Sequence, residues 1–226
     1  ASKRQLLPWL PARWGCDLLR LQQLVSAGTI GNVFAIRRTV SSFGTRCDWQ
    51  TESRYGGGYI LNWGPHIVDP PVILGNSPVK SVFGRTRQAI NPGDVEDLFH
   101  AVITLENGTI IHAEYTISID TFPTWVVQGD RGTITVRSRD FKIIRQTPVQ
   151  PTDPTAFASM QAEPAEITEE TVSGAVYGDE HIIYQEIADS LANVKPYPVT
   201  PADALGVSRI LEAIKISSKE DRVVNL

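Results

Sequence analysis

The 226-residue sequence is short of several features that mark common protein classes. It holds two cysteines, Cys16 and Cys47, with no C-x-x-C and no Cys/His cluster at ligand spacing. That excludes a disulfide framework and a structural zinc site, so no metal is expected. Basic residues are scattered and outnumbered, 21 Lys and Arg against 25 Asp and Glu. The resulting charge of −4 gives no footprint for a nucleic acid or a polybasic membrane contact. No apolar run approaches the ~20 residues of a membrane span, and the opening ASKRQLLPWL has no h-region of a secretory signal. A reducing cytoplasm is the expected location. Phosphate fingerprints are also lacking: there is no Gly-Lys-Ser/Thr, and no G-x-G-x-x-G after a strand pattern. The nearest candidate, Gly28-Thr29-Ile30-Gly31, follows a helical pattern instead. The only methionine is Met160 and the first residue is Ala1, so a piece of a longer protein is expected.

What is present is apolar side chain enough for a core, 42% of residues. The segment LLPWLPARW is too proline-rich for an α-helix and reads as an extended tail over residues 1–14, with Trp9 and Trp14 needing a surface to lie on. Leu18, Leu21, Leu24 and Val25 recur at helical spacing over 17–27, with Gly28 as the stop. A strand is expected over 32–43, and six more over 79–88, 95–106, 109–118, 124–129, 133–138 and 141–146. Asn107-Gly108 predicts a type I′ hairpin, pairing His100 with Tyr115 and Ile103 with His112. In that register neither hairpin face is cleanly polar, so the sheet should be covered on both sides, once by helices and once by another subunit or domain. The proline-rich 147–168 reads as a surface loop. Two helices close the chain: one over 179–193 with Ile183, Ile187 and Leu191 on a stripe, and one opened by Thr200-Pro201-Ala202-Asp203 that buries Val207, Ile210, Leu211 and Ile214. Residues 15–226 form a single domain of α+β class.

One stretch carries chemistry, GGGYILNWGPHIVD over 56–69. Leu61 stands where a dinucleotide fingerprint needs its third glycine, which argues against a phosphate cradle. As a helix start, the stretch sets Asn62 and His66 at i and i+4 on one face, within reach of one small ligand. His66 has the pKa range of an acid/base. A lone helical histidine is more often a packed residue, and Pro65, Pro70 and Pro71 argue for a kinked or broken helix. Arg54, Tyr55 and Trp63 flank the motif as rim contacts, a position that surface packing explains equally well.

This stretch resembles the "GGG, then D-x-x-x-H" signature in the C-terminal domain of the glucose–fructose oxidoreductase / inositol dehydrogenase / MocA family of NAD(P)-dependent sugar dehydrogenases. ARWGCDLLRLQQLVSAGTIGNVFAIRRTVSSF, VEDLFHAVITLENGTIIHAEYTIS and PVTPADALGVSRILEAIKISSKEDRVVNL are similar to that domain's start, central hairpin and closing helix. The resemblance implies a dihydrodipicolinate-reductase-like domain: an open, mixed but predominantly antiparallel sheet, helices on one face, the other face free for oligomerisation. It implies a homodimer through the sheet, a sugar or polyol ligand, and NAD(P) only in a full-length relative that carries a Rossmann half and a Glu-Lys-Pro lysine. Neither motif occurs in this sequence. The family's aspartate is Asn62 here, whereas its histidine is kept as His66. His66 is thus the expected acid/base or orienting residue, and Asn62 a hydroxyl ligand.

Two functions stand side by side. The chain is a substrate-binding and oligomerisation domain of such a dehydrogenase, inactive without its cofactor half, or it is a stand-alone, non-catalytic, dimeric sugar-binding or scaffold module. A hydrolase built on His66, His100 or His181 lacks a nucleophile motif such as G-x-S-x-G.

Overall fold

The computed structural model describes residues 4–149, 155, 157, 160 and 162–226. In chain order the elements are α1 (Cys16–Ser26), β1 (Val33–Ser41), α2 (Tyr59–Asn62), α3 (Gly64–Gly75), β2 (Val79–Arg87), β3 (Leu98–Leu105), β4 (Ile110–Thr116), β5 (Trp125–Gly129), β6 (Gly132–Arg137), β7 (Asp140–Arg145), β8 (Glu166–Thr171), α4 (Glu180–Leu191), α5 (Pro201–Glu220) and β9 (Val224–Asn225). The strands make one open sheet in the order β8-β7-β6-β5-β1-β4-β3-β2-β9. Only β1 and β4 run parallel; every other neighbouring pair is antiparallel. The α+β class and the mixed, largely antiparallel sheet stand as the sequence implies.

Helices α3 and α5 lie on one face of the sheet, α3 against β1 and β4 and α5 against β2, and α1 packs on α3. The core between the layers takes Ile36, Phe99, Ile103, Ile111 and Val127 from the sheet, Leu18 and Leu21 from α1, Ile67 and Val68 from α3, and Ile210 and Ile214 from α5. Helix α5 starts as its sequence dictates. Thr200 Oγ1 accepts from Asp203 N at 3.1 Å, and the Asp203 carboxylate accepts from Thr200 N at 2.7 Å, a reciprocal capping box with Pro201 in the first turn.

The hairpin is where the structure departs from expectation. Phe99 pairs with Tyr115, His100 with Glu114, Val102 with His112 and Ile103 with Ile111, one residue away from the type I′ register. Gly108 is left-handed (φ 86°) and Asn107 is not, so the connection is not type I′. Leu105 and Thr109 close a three-residue loop, with Leu105 N on Thr109 O at 3.0 Å and Gly108 N on Leu105 O at 3.0 Å. A loop of that length with a left-handed glycine at its end shifts the ladder by one, and one residue exchanges every side chain between faces. Phe99, Ala101, Ile103, Leu105, Ile111, Ala113 and Tyr115 then share the buried face. The opposite face is not apolar: Arg37, His112, Glu114, His100 and Arg85 lie there, with Phe83, Val102 and Val126 among them. The two-sided apolar sheet was a product of the slipped register.

Three smaller readings change. Part of the expected loop 147–168 lies outside the described residues, but its end belongs to β8, an edge strand whose Glu-rich, exposed sequence hides the alternation. On α4 the buried stripe is Ile183, Ile187 and Ser190, with Leu191 62% exposed, because i, i+4, i+7 selects position 190. In the tail, Pro11–Trp14 is a 3-10 turn with proline in its first positions. Trp14 packs on the core and near Tyr197 (ring centroids 6.0 Å), whereas Trp9 stacks on Tyr184 at 5.5 Å and stays 42% exposed.

Candidate functional site

The glycine run is a folding device. Gly56 is left-handed (φ 73°) and ends a 3-10 turn over Ser53–Tyr55. A Cβ on Gly57 would lie 2.5 Å from Gln50 O and 2.9 Å from Glu52 O. The N–H groups that a phosphate would need are all taken: Gly57 N donates to Glu52 O, Gly58 N to Gln50 O, Tyr59 N to Glu96 O, and Ile60 N to the Glu96 carboxylate. The Glu96 carboxylate at this helix start also repels an anion. Among the described residues no strand runs through a glycine-rich turn into a helix, so the residues present do not fit a nicotinamide dinucleotide. No group of three or more His, Cys, Asp or Glu among them is placed to hold a metal.

Beyond the glycines the helix breaks at Trp63 into α2 and α3. Pro65 cannot donate to Leu61 O, and His66 N bonds instead to Trp63 O at 3.0 Å. Pro70 and Pro71 sit inside α3 without ending it. Their missing N–H groups leave the His66 and Ile67 carbonyls without intrahelical donors. The i, i+4 pair therefore spans a helix break. Asn62 turns its amide to Gln50 Oε1 at the surface, whereas His66 lies inward among aromatic rings.

Those rings form a bracket. The His66 ring is 5.7 Å from Tyr177 and 6.3 Å from Trp63, both edge-on; Trp63 is in turn 6.0 Å from Tyr177 and 5.5 Å from Tyr115. Beneath them Arg38 of β1 is buried, 1% exposed, with its guanidinium 4.7 Å above the Trp125 ring and 3.6 Å from the Asp17 carboxylate. Asp17 also accepts from Trp125 Nε1 at 2.7 Å. Burial draws the Arg38 pKa down, with Asp17 and then Tyr177 opposing. Behind the site, the Arg13 fork holds Asp69 by two 2.8 Å bonds, with Asp203 3.5 Å away. This pair ties the tail and α3 to the start of α5.

The electrostatics follow from burial. Desolvation, then the Arg38 charge, draws His66 below the usual imidazole range, with Asp69 opposing. Burial pushes Asp17 and Asp69 up, opposed by Arg38 and Arg13 respectively. At neutral pH His66 is uncharged, and its buried Nδ1 has no hydrogen-bond partner. The arrangement can take or give a proton and can present aromatic faces to the C–H surface of a ring-shaped ligand.

The structure thus brings His66 and Trp63 together. Arg54 and Tyr55 stack on each other at 4.6 Å on an exposed turn, and among the described residues no ring or ion-pair contact joins them to His66. Arg38, Tyr115 and Tyr177 were missed from sequence. Arg37-Arg38 within a strand was the available signal, since adjacent strand residues face opposite ways and one arginine had to point inward.

A family model described as the GFO/IDH/MocA C-terminal domain matches residues 18–135, over half of the chain. The scyllo-inositol 2-dehydrogenase (NADP(+)) IolW of Bacillus subtilis is 25% identical over 235 residues, 95% of this chain and 62% of that protein. An uncharacterized oxidoreductase, C115.03 of Schizosaccharomyces pombe, is 23% identical over 95% of this chain and 65% of its own length. The chain thus spans less than two thirds of the curated relatives it matches. Among solved structures, an NAD-binding protein from Listeria innocua superposes with a TM-score of 0.76 at 24% identity, over 96% of this chain and 66% of that one. A super-repressor mutant of Gal80p from Saccharomyces cerevisiae gives 0.73 at 17%, over 99% and 65%. Fold, motif and family match agree: the chain belongs to the GFO/IDH/MocA family and carries its C-terminal domain.

Proposed function

We propose that this chain is the substrate-binding and oligomerisation domain of an NAD(P)-dependent oxidoreductase acting on a sugar or polyol. The observation that carries the reading is His66: half-buried, its pKa drawn down, one buried ring nitrogen unfilled, and bracketed by Trp63 and Tyr177, with Tyr115 behind Trp63. In this reading His66 orients or deprotonates a substrate hydroxyl and Trp63 supports the sugar ring. Asn62 contributes a hydrogen-bonding amide at the rim. Among the relatives, the scyllo-inositol dehydrogenase supports a polyol. The face of the sheet that carries Arg37, His112 and Val102 is the surface for a second copy.

Hydride transfer needs a nicotinamide that these residues do not cradle, so the chain by itself binds and does not oxidise. Calorimetric titration of the chain with scyllo-inositol and with NADP(H) tests both halves of the claim. Polyol binding without cofactor binding is the expected result; micromolar NADP(H) binding would contradict it.

A second reading, a non-catalytic binding module, is favoured by one feature: the family's acid is Asn62, whose amide is tied to Gln50. Asparagine takes no proton. Asn62→Asp in a protein supplied with the cofactor domain separates the readings. A gain in turnover from near zero supports the module, and an already active Asn62 protein supports the enzyme domain.

A further inference from the structure

The open face of the sheet holds a cavity of about 190 Å³ whose lining includes Arg37, Arg85, His100, His112 and Glu114. In the β1–β4 register Arg37 is paired with His112 and Thr39 with Glu114, so Arg37 and Glu114 stand on the diagonal of neighbouring strands. Strand spacing and rise put their Cα atoms about 8 Å apart. On the open face of the central strands β5, β1, β4 and β3, Arg37 is the one lysine or arginine and Glu114 the one carboxylate. Glu114 is held in place: one oxygen accepts from Thr39 Oγ1 at 2.7 Å and the other lies 2.9 Å from His100 Nδ1. A carboxylate offers about four lone-pair sites, so each oxygen keeps room for a further donor. Arg85 is spent on Asp221 and on the Gly84 and Ser217 carbonyls. Arg37 is exposed, and among the described residues it makes no hydrogen bond or ion pair. The centre of this face thus carries one fixed acid with capacity left and one cation with nothing to hold.

Symmetry limits how a second copy can use this pair. Two identical faces meet in an isologous contact, with the two-fold axis lying in the plane between the sheets. An axis that crosses midway between Arg37 and Glu114, at right angles to the line joining them, carries each position onto the other. Facing sheets lie about 10 Å apart, a gap that an arginine and a glutamate reaching toward each other span. An alignment that buries Arg37 away from a carboxylate leaves an unpaired charge out of water, which is costly. Resting on the oligomerisation reading above, we propose that Arg37 of each copy pairs with the partner's Glu114, giving two reciprocal ion pairs that set the alignment of a face-to-face dimer. Phe83, Val102 and Val126 supply apolar area beside the pairs, paired in register with Val102, His112 and Arg37. The apolar contacts are indifferent to small shifts, and the charges select one alignment.

The test is sedimentation velocity on the full chain and on two charge-reversal variants. Arg37→Glu and Glu114→Arg should each weaken self-association roughly 100-fold or more, because in a two-fold contact every reversal acts twice. An equimolar mixture of the two variants should dimerise again, since a heterodimer of them sets opposite charges together at both contacts. Rescue by mixing distinguishes a pair formed between copies from one formed within a chain. If Glu114→Arg fails to fold by circular dichroism, Arg37→Glu still decides, because that residue is exposed: loss of the dimer supports the pairing, and an unchanged dimer overturns it. Variants that dimerise like the parent, or that are both monomeric and stay so when mixed, overturn the pairing while the oligomerisation reading stands. An unaltered chain that is monomeric at micromolar concentration overturns that reading and the pairing with it.

Discussion

His66 lies in a field that keeps its imidazole neutral, first through desolvation and then through Arg38. Its folded pKa is below its unfolded one, so between the two values the unfolded chain holds the extra proton. Stability therefore falls as pH drops through the ordinary imidazole range, ~6.5, and levels off below the folded value. Asp17 and Asp69, both pushed up, contribute in the opposite sense; Asp69 is shifted mainly by burial and Arg13, with His66 the last of its influences. His66→Asn should thus lose less stability than the parent when pH is lowered from ~7.5 to ~5.5, measured by urea midpoints; equal losses would discard the buried-imidazole account. Gly57→Ala should cost about 1–3 kcal/mol by overpacking, since its Cβ meets the Gln50 and Glu52 backbone. At this scale the motif was legible because GGG and His66 are fixed in spacing along one segment. Arg38 and Tyr177 were not, because what makes them matter is a meeting across about 140 residues of sequence that no local pattern encodes.

Among the elements, α5 was readable to the residue, because a capping box is local chemistry: Thr200, Pro201 and Asp203 need only one another. Thr200→Ala should lower the unfolding free energy by about 1 kcal/mol in a urea titration. The β3–β4 hairpin was half readable. Asn107-Gly108 marks a turn in either case, but two- and three-residue loops share that dipeptide, and the choice between them moves the register by one. Burial of Phe99, Ile103 and Tyr115 on one face is what decides it. Gly108→Ala forces a side chain into φ 86° with no clash nearby and should cost about 1–2 kcal/mol of conformational strain. Asn107→Gly should be milder, losing only the side-chain bonds to Thr109 N and Gly75 O. β8 was illegible because an edge strand exposed on both sides has no buried alternation to show.

For the molecule as a whole, the layer order followed from the sequence of element types, and the open face of the sheet followed from having helices enough for one side only. That face mixes Arg37, His112 and Glu114 with Phe83 and Val102, a composition suited to contact with a second copy of this chain. Sedimentation velocity should find a dimer, and Val102→Arg should return it to monomers with the fold intact by circular dichroism. A dimer that survives the substitution would move the contact elsewhere. The position of β1 carries a last consequence, in the order in which the molecule is made. It precedes the other strands of this sheet in the sequence, yet it occupies the middle of the sheet, between β4 and β5, the second of which ends at Gly129. A ribosome adding about 5–20 residues per second needs roughly 4–18 s to pass from Ser41 to Gly129. Both edges of β1 are open until β4 is complete at Thr116, and the edge toward β5 stays open until Gly129, so the nascent chain carries an unpaired central strand through most of that interval, when a ribosome-bound chaperone is the factor best placed to shield it.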